Sequence, residues 1–260
     1  MSLALIAGTG ALPPALLAEL ERPPLVCALE GVTPAIPVAL RFRLERLGGF
    51  VATLRARGVA RVCMAGGIER PRIDWRTFDL ATLRLVPAML RALRAGDDGA
   101  LRAFIGVLED GGLQVVGAHQ IAPRLVARAG TPTLARPGPA HVDMAALGQR
   151  HLADMGRRDV GQACVLAEGR VVAEEDRFGT DALIARAAGA GRILFKGPKP
   201  RQDRRADLPA IGPGTARGIV AAGLDGIVVE AGGTLLLEPA ETVSILDEAG
   251  RFLWVRERTA

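Results

Sequence analysis

The chain has 260 residues, 49% of them hydrophobic and 23% charged, which suits a globular protein of one or two domains with a sizeable core. Its 33 Lys and Arg against 28 Asp and Glu leave a net charge of +5, spread too widely to mark a nucleic-acid surface. Aromatics are only 3% with no tyrosine, which argues against base stacking, and the glycines and prolines follow no collagen-like period.

In chain order, SLALIA predicts a short buried strand and PPALLAELE a helix with Pro13 or Pro14 in its first turn. PLVCAL and RVCMAG read as further buried strands, with FRLERLGGFVATLRARG between them a helix broken or started near its glycines. TLRLVPAMLRALRAG and DDGALRAFIGVLEDGG predict two more helices, and LQVVGAH a strand. This alternation predicts a mainly parallel sheet in a Rossmann-like α/β domain over residues 1–130. The stretch with Pro123, Pro132, Pro137 and Pro139 reads as an interdomain linker with a boundary near 130–140. A second α/β domain, 140–260, opens with the helix HVDMAALGQRHLADMG. A hairpin centred on Glu168–Gly169 follows, then a helix over TDALIARAA, a strand RILFKG, and a further α/β unit from TARGIVAAG to FLWVRE. The expected fold class is therefore two α/β domains.

Cys27, Cys63 and Cys164 form no CxxC pair, and His119, His141 and His151 form no HxxxH pair. The apolar start Leu3–Ala7 is too short for a signal peptide, and the apolar run 218–237 is interrupted by Asp225 and Glu230. A cytoplasmic protein is the expectation.

Several stretches point to anion chemistry. The turn Gly8-Thr9-Gly10-Ala11 joins a strand to a helix and reads as a phosphate site or as a plain tight turn. Pro13 stands where a dinucleotide fingerprint needs its third glycine, although Glu30 lies where a ribose-binding acid belongs. Gly66-Gly67, followed by Glu69 and Arg70, forms a second glycine turn after a strand. The leucine-rich run from Thr82 to Arg94, with Arg84 and Arg91, reads either as a core helix with its arginines in water or as a lipid-facing surface. Thr180 and Asp181 open a helix after the acidic run Glu174, Glu175 and Asp176, as caps or as ribose or phosphate ligands.

The densest stretch is KGPKPRQDRRADLPAIGPGT, residues 196–215. Pro198 and Pro200 favour extended backbone, and a three-residue turn would place Lys196 and Lys199 on one side as a phosphate clamp. Arg201, Arg204 and Arg205 add bidentate donors, and Thr215 stands at a further helix N-terminus. Asp207, a carboxylate among cations, is the leading catalytic candidate, to bind a metal or to orient a water. By themselves these residues argue for an enzyme acting on a phosphorylated or nucleotide substrate. An NAD-dependent oxidoreductase and a non-catalytic nucleotide-binding regulator stay open beside it.

Taken in order, LIAGTGALP, AGGIERP, GDDGALR, GAH, DVGQACVLAEG, GTDALI, KGPKPRQDRRADLPAIG and GLDGIVVEAG resemble one family over about residues 3–255. It is the UDP-2,3-diacylglucosamine pyrophosphatase of lipid A biosynthesis, in the class unrelated to calcineurin-like metallophosphoesterases. The resemblance implies a two-domain homodimer and Mg²⁺-dependent hydrolysis, with water attacking the α-phosphorus to give UMP and 2,3-diacylglucosamine 1-phosphate. It implies a lipid-linked UDP-sugar substrate, peripheral contact with the inner membrane and no nucleic acid. The family's essential aspartate matches Asp207 of Asp207-Leu208-Pro209. Lys199, Gln202 and Arg205 match polar positions leading into it, and Thr180–Asp181 its GTD turn. Thr9, Gly67 and Gln120 depart from the family's usual glycine, asparagine and acid.

Overall fold

The structure is a computed structural model and describes residues 2–68, 76–79, 82, 97–199 and 203–257. Arg70, Arg201, Gln202 and all of the leucine-rich run but Thr82 therefore lie outside the described residues. The chain divides into two units. Unit 1 is Met1–Pro123 with Asp203–Asp207, and unit 2 is Arg124–Gln202 with Leu208–Ala260.

Unit 1 carries β1 (Ser2–Ala7), α1 (Leu12–Glu19), β2 (Leu25–Leu29), β3 (Leu40–Phe42) and α2 (Leu47–Ala56). β4 (Val59–Ala65), α3 (Asp97–Asp110), β5 (Gln114–Val116) and the short α4 (Ala118–Ile121) follow. All pairings are parallel, in the order β3-β2-β1-β4-β5, the Rossmann-type order that reverses between β1 and β4. Of the two expectations for this stretch, the helix starts near its glycines, at Leu47, because Leu40–Phe42 pairs with β2 as the edge strand. Phe42 then faces the core and stacks on Phe50 of α2 with ring centroids 4.0 Å apart. Ile6, Leu54, Val62, Ile105 and Leu108 complete that core, and Ala206 of the returning segment packs against it.

Unit 2 carries α5 (Pro139–Arg158), β6 (Ala163–Ala167), β7 (Arg170–Glu174), α6 (Gly179–Arg186), β8 (Arg192–Lys196) and β9 (Ala210–Ile211). It ends with α7 (Pro213–Ala222), β10 (Gly226–Glu230), β11 (Leu235–Leu236), α8 (Pro239–Glu248) and β12 (Phe252–Arg256). The main sheet runs β12-β10-β8-β6-β7, parallel through β8 and antiparallel beyond it. Strand alternation supplies both faces. Ile193, Phe195 and Val228 meet the α5 side with Leu152 and Met155, while Leu194, Ile227 and Val229 meet Leu183, Ile219 and Leu246 of α6, α7 and α8. The expected hairpin is present: Glu168 (φ 50°) and Gly169 (φ 71°) close β6 onto β7 with both residues left-handed.

The proline-rich stretch expected as a linker is held to unit 2 instead. Gly130 and Val255 exchange both backbone hydrogen bonds, the Thr133 hydroxyl accepts from Leu253 N–H, and Asp247 accepts from Leu134 N–H. Prolines deny this segment a ladder of its own, and the edge of β12 takes up its donors and acceptors instead.

At Gly148 α5 lies tight against the sheet: a Cβ there would lie 2.7 Å from Cγ of Phe195. Gly148→Ala is expected to destabilise the protein by about 1–3 kcal/mol through overpacking, despite alanine's better helix propensity. Urea denaturation followed by circular dichroism checks this, and an unchanged midpoint would contradict it.

Candidate active site

At the switch point of unit 1, the two glycine turns clasp each other. Gly8 N–H donates to Ala65 O (2.7 Å), Thr9 N–H to Gly67 O (2.8 Å) and Gly67 N–H to Thr9 O (3.0 Å). A Cβ on Gly8 would lie 2.3 Å from Gly67 O, and one on Gly66 (φ 90°) 2.5 Å from Thr9 O, so only glycine allows this approach. The N–H groups of Gly8, Thr9 and Gly67 serve this clasp, and Pro13 and Pro14 have none to offer at the start of α1. Gly10 and Ala11 stand between the clasp and α1. Glu30 pairs with Arg43 (3.4 Å) at the end of β2.

The Asp203–Asp207 segment is anchored within unit 1. Arg205 grips Asp203 with Nε and Nη2 (3.0 and 2.8 Å) and Glu109 of α3 with Nη1 (2.6 Å). Its fork, expected to serve phosphate, is thus engaged by two carboxylates. The Arg205 hydrogen bonds hold the Asp203 carboxyl below its ordinary range. Ala206 and Asp207 N–H groups both donate to Asp203 O, making a turn that leaves the Asp207 side chain half-buried. Beside it, the ring of His119 folds over Gly117, whose added Cβ would lie 2.5 Å from Cε1 of His119 and 3.0 Å from Arg204 O.

In unit 2, Lys196 is the last residue of β8 and only 7% exposed. Its Nζ donates to Thr180 Oγ1 (2.8 Å) on the first turn of α6. The Thr180 hydroxyl donates to Glu175 Oε1, and Glu175 Oε2 accepts from Gln162 N–H (2.6 Å). Lys199 instead donates to Asp159 Oδ1 (2.8 Å), the left-handed C-cap of α5. Lys196 and Lys199 therefore reach different partners, a threonine hydroxyl and a carboxylate, because Lys196 belongs to the strand and not to the proline-stiffened segment after it. Asp181 is exposed next to Thr180, and Thr215 is half-buried in the first turn of α7. Pro209 O and Ile211 O accept from Leu235 and Leu237 N–H, which ties the residues after Asp207 to the β9–β11 pair.

Among the described residues, no group of three or more His, Cys, Asp and Glu side chains is arranged to hold a metal ion. Magnesium needs no such cage: one or two carboxylates, waters and substrate phosphates suffice. With Asp203 taken by Arg205, the segment's fit to Mg²⁺ falls on Asp207. The thiols offer no nucleophile, since burial pushes Cys27 up to about 11 and Cys63 and Cys164 up to about 12. No helix among the described residues is long and apolar enough to cross a membrane.

Models of two domains match the chain end to end, the LpxI N-terminal domain over residues 2–125 and the LpxI C-terminal domain over residues 128–254. The chain belongs to the LpxI family. A relative similar along its whole length is the UDP-2,3-diacylglucosamine pyrophosphatase LpxI of Caulobacter vibrioides, 34% identical over 268 residues that cover 96% of each chain.

Against the LpxI family pattern given by the sequence motifs, the departures acquire a geometry. Thr9 and Gly67 face one another: Thr9 Oγ1 donates to Gly67 O (3.2 Å), and a Cβ on residue 67 would lie 3.2 Å from Thr9 Oγ1. Gln120 Oε1 accepts from Gly117 N–H (2.8 Å), an acceptor role that a carboxylate also fills. Residues that sequence reasoning missed are Glu175, Asp159, Glu109 and His119. GAH and DVGQACVLAEG gave a signal for His119 and Asp159 as parts of motifs, and the acidic run contained Glu175 without singling it out. His119 Nδ1 is buried with no hydrogen-bond partner among the described residues. Burial, and then Arg204, push its pKa below the ordinary 6.5. A depressed histidine pKa means the unfolded chain binds more protons within the window. Stability should therefore be full above about pH 6.5 and fall as pH drops from there towards the lowered value. In urea denaturation between pH 7 and pH 5, His119→Gln is expected to flatten that decline. An identical slope in both proteins would contradict it.

Proposed function

We propose that this chain hydrolyses the pyrophosphate of UDP-2,3-diacylglucosamine to UMP and 2,3-diacylglucosamine 1-phosphate, a step of lipid A biosynthesis. The observation that carries the reading is the end-to-end similarity to a relative of that name, with both family domains present. Each unit, taken by itself, carries groups that agree with it chemically. A diphosphate diester resists hydrolysis because its charge repels the attacking oxygen, so a cation fixed in a desolvated setting lowers the barrier. Lys196 is such a cation, held by Thr180 and buried at the carboxyl end of a strand, where open α/β sheets bind ligands. Asp207, on a turn pinned by Arg205 and Ala206, would orient the water that attacks the α-phosphorus or would hold Mg²⁺. If bound, Mg²⁺ would be held by Asp207 and would supply further charge neutralisation.

On the same reading the chain acts as a cytoplasmic homodimer that meets the inner membrane peripherally, since its substrate is a lipid. The nicotinamide alternative loses its support, because Glu30 is paired with Arg43 and the N–H groups of Gly8 and Thr9 are used within the protein.

UMP release from UDP-2,3-diacylglucosamine by the native chain tests the reading. Release should stop on chelation with EDTA and return on adding Mg²⁺. No release by folded protein with Mg²⁺ present would sink the assignment, and release indifferent to EDTA would remove the metal.

A further inference from the structure

The acidic run Glu174-Glu175-Asp176 divides three ways. Glu174 turns outward to Arg158 (3.0 Å) and His151 (2.8 Å), and Asp176 pairs with Arg186 (3.1 Å). Glu175 turns inward and is only 7% exposed. A carboxylate is buried at this cost only with its charge compensated and its oxygens satisfied. Both oxygens are in use, Oε2 by the Gln162 N–H and Oε1 by the Thr180 hydroxyl. The turn that receives it is built around Gly161, at φ 44°, where a Cβ would lie 2.6 Å from Glu175 O and 2.7 Å from Glu175 Cβ.

A hydroxyl has one proton to give. Thr180 spends its proton on Glu175, so towards Lys196 its oxygen is an acceptor, and Nζ stands 2.8 Å away. A lysine otherwise brings its charge on a flexible four-carbon stem. Here the carboxylate sets the hydroxyl, and the hydroxyl sets the ammonium. We infer that Glu175 is a positioning residue of the hydrolysis: acting through Thr180, it fixes the Lys196 ammonium for the diphosphate before substrate arrives. The inference rests on the pyrophosphatase reading above and adds a residue that the sequence motifs do not name. Preorganised charge acts on the chemical step more than on binding, so its loss falls on kcat rather than KM.

The test is steady-state UMP release by the native chain, Thr180→Ser, Thr180→Val, Glu175→Gln and Glu174→Gln, with a thermal melt of each. Thr180→Val keeps the side chain's shape without the hydroxyl, and Thr180→Ser keeps the hydroxyl. Thr180→Val and Glu175→Gln should lower kcat about 10- to 100-fold with KM within about threefold. Thr180→Ser should stay within about threefold of native, and Glu174→Gln should match native. A folded Thr180→Val that equals Thr180→Ser in kcat overturns the inference. If Thr180→Val melts below the assay temperature, the near-isosteric Glu175→Gln decides, and native kcat in that variant overturns it equally. A native chain that releases no UMP removes the pyrophosphatase reading and this inference together. Native activity indifferent to Thr180→Val removes the inference alone.

Discussion

Asp207→Asn is expected to lower UMP release by about 10³-fold or more while leaving the protein folded, as single charged groups at phosphoryl and acyl centres commonly do. The substitution keeps the size and one oxygen acceptor but removes the charge that would hold an ion or polarise a water. The turn keeps anchors that do not depend on this charge. Arg205 grips Asp203 and Glu109, Ala206 packs into the unit 1 core, and Asp207 contributes its backbone N–H to Asp203 O. UMP release and a thermal melt on the same preparation check this. Near-native release would exclude Asp207 from the chemistry. A loss that only follows unfolding would make it a structural residue.

Lys196→Met is the second substitution with a large expected effect, this time on stability. It keeps the stem and removes a buried ammonium, leaving Thr180 without its donor and the buried Glu175 carboxylate without the cation reached through it. Removing one member of a buried charged set typically costs about 3–5 kcal/mol, whereas removing both charges costs far less. Lys196→Met should therefore lower unfolding free energy in urea by about that amount, and adding Glu175→Gln should recover at least about half of it. Losses that simply add would show that Lys196 and Glu175 are not coupled through Thr180.

The family was legible in the sequence because its motifs are chemical: glycines where backbones touch, and charges next to prolines where no regular ladder forms. The clasp of Gly8 with Gly67 shows why that signal survives, since no other side chain fits at 2.3 Å. Strands β1, β4 and β8 were equally legible as short apolar runs, and the Glu168–Gly169 hairpin as a two-residue turn. β3 was not, because three residues carry too little periodicity and their strand state comes from pairing with β2.

What the sequence by itself determined is the two-unit α/β class, the glycine turns and the Asp207 segment as the place where charge gathers. Which charge meets which was decided only by the tertiary structure. Along the chain Glu174, Glu175 and Asp176 are equivalent acids, yet the end of β7 sends Glu174 to Arg158 and buries Glu175 against Thr180. Lys196 and Lys199 are equivalent amines three residues apart, yet one meets α6 and the other Asp159. Arg205 reads as a phosphate ligand until the fold brings Glu109 to it across 96 residues of sequence. Composition and local propensity set where charges lie along the chain, but the partner of a charge is set by distances in space, and those exist only once the sheets have packed.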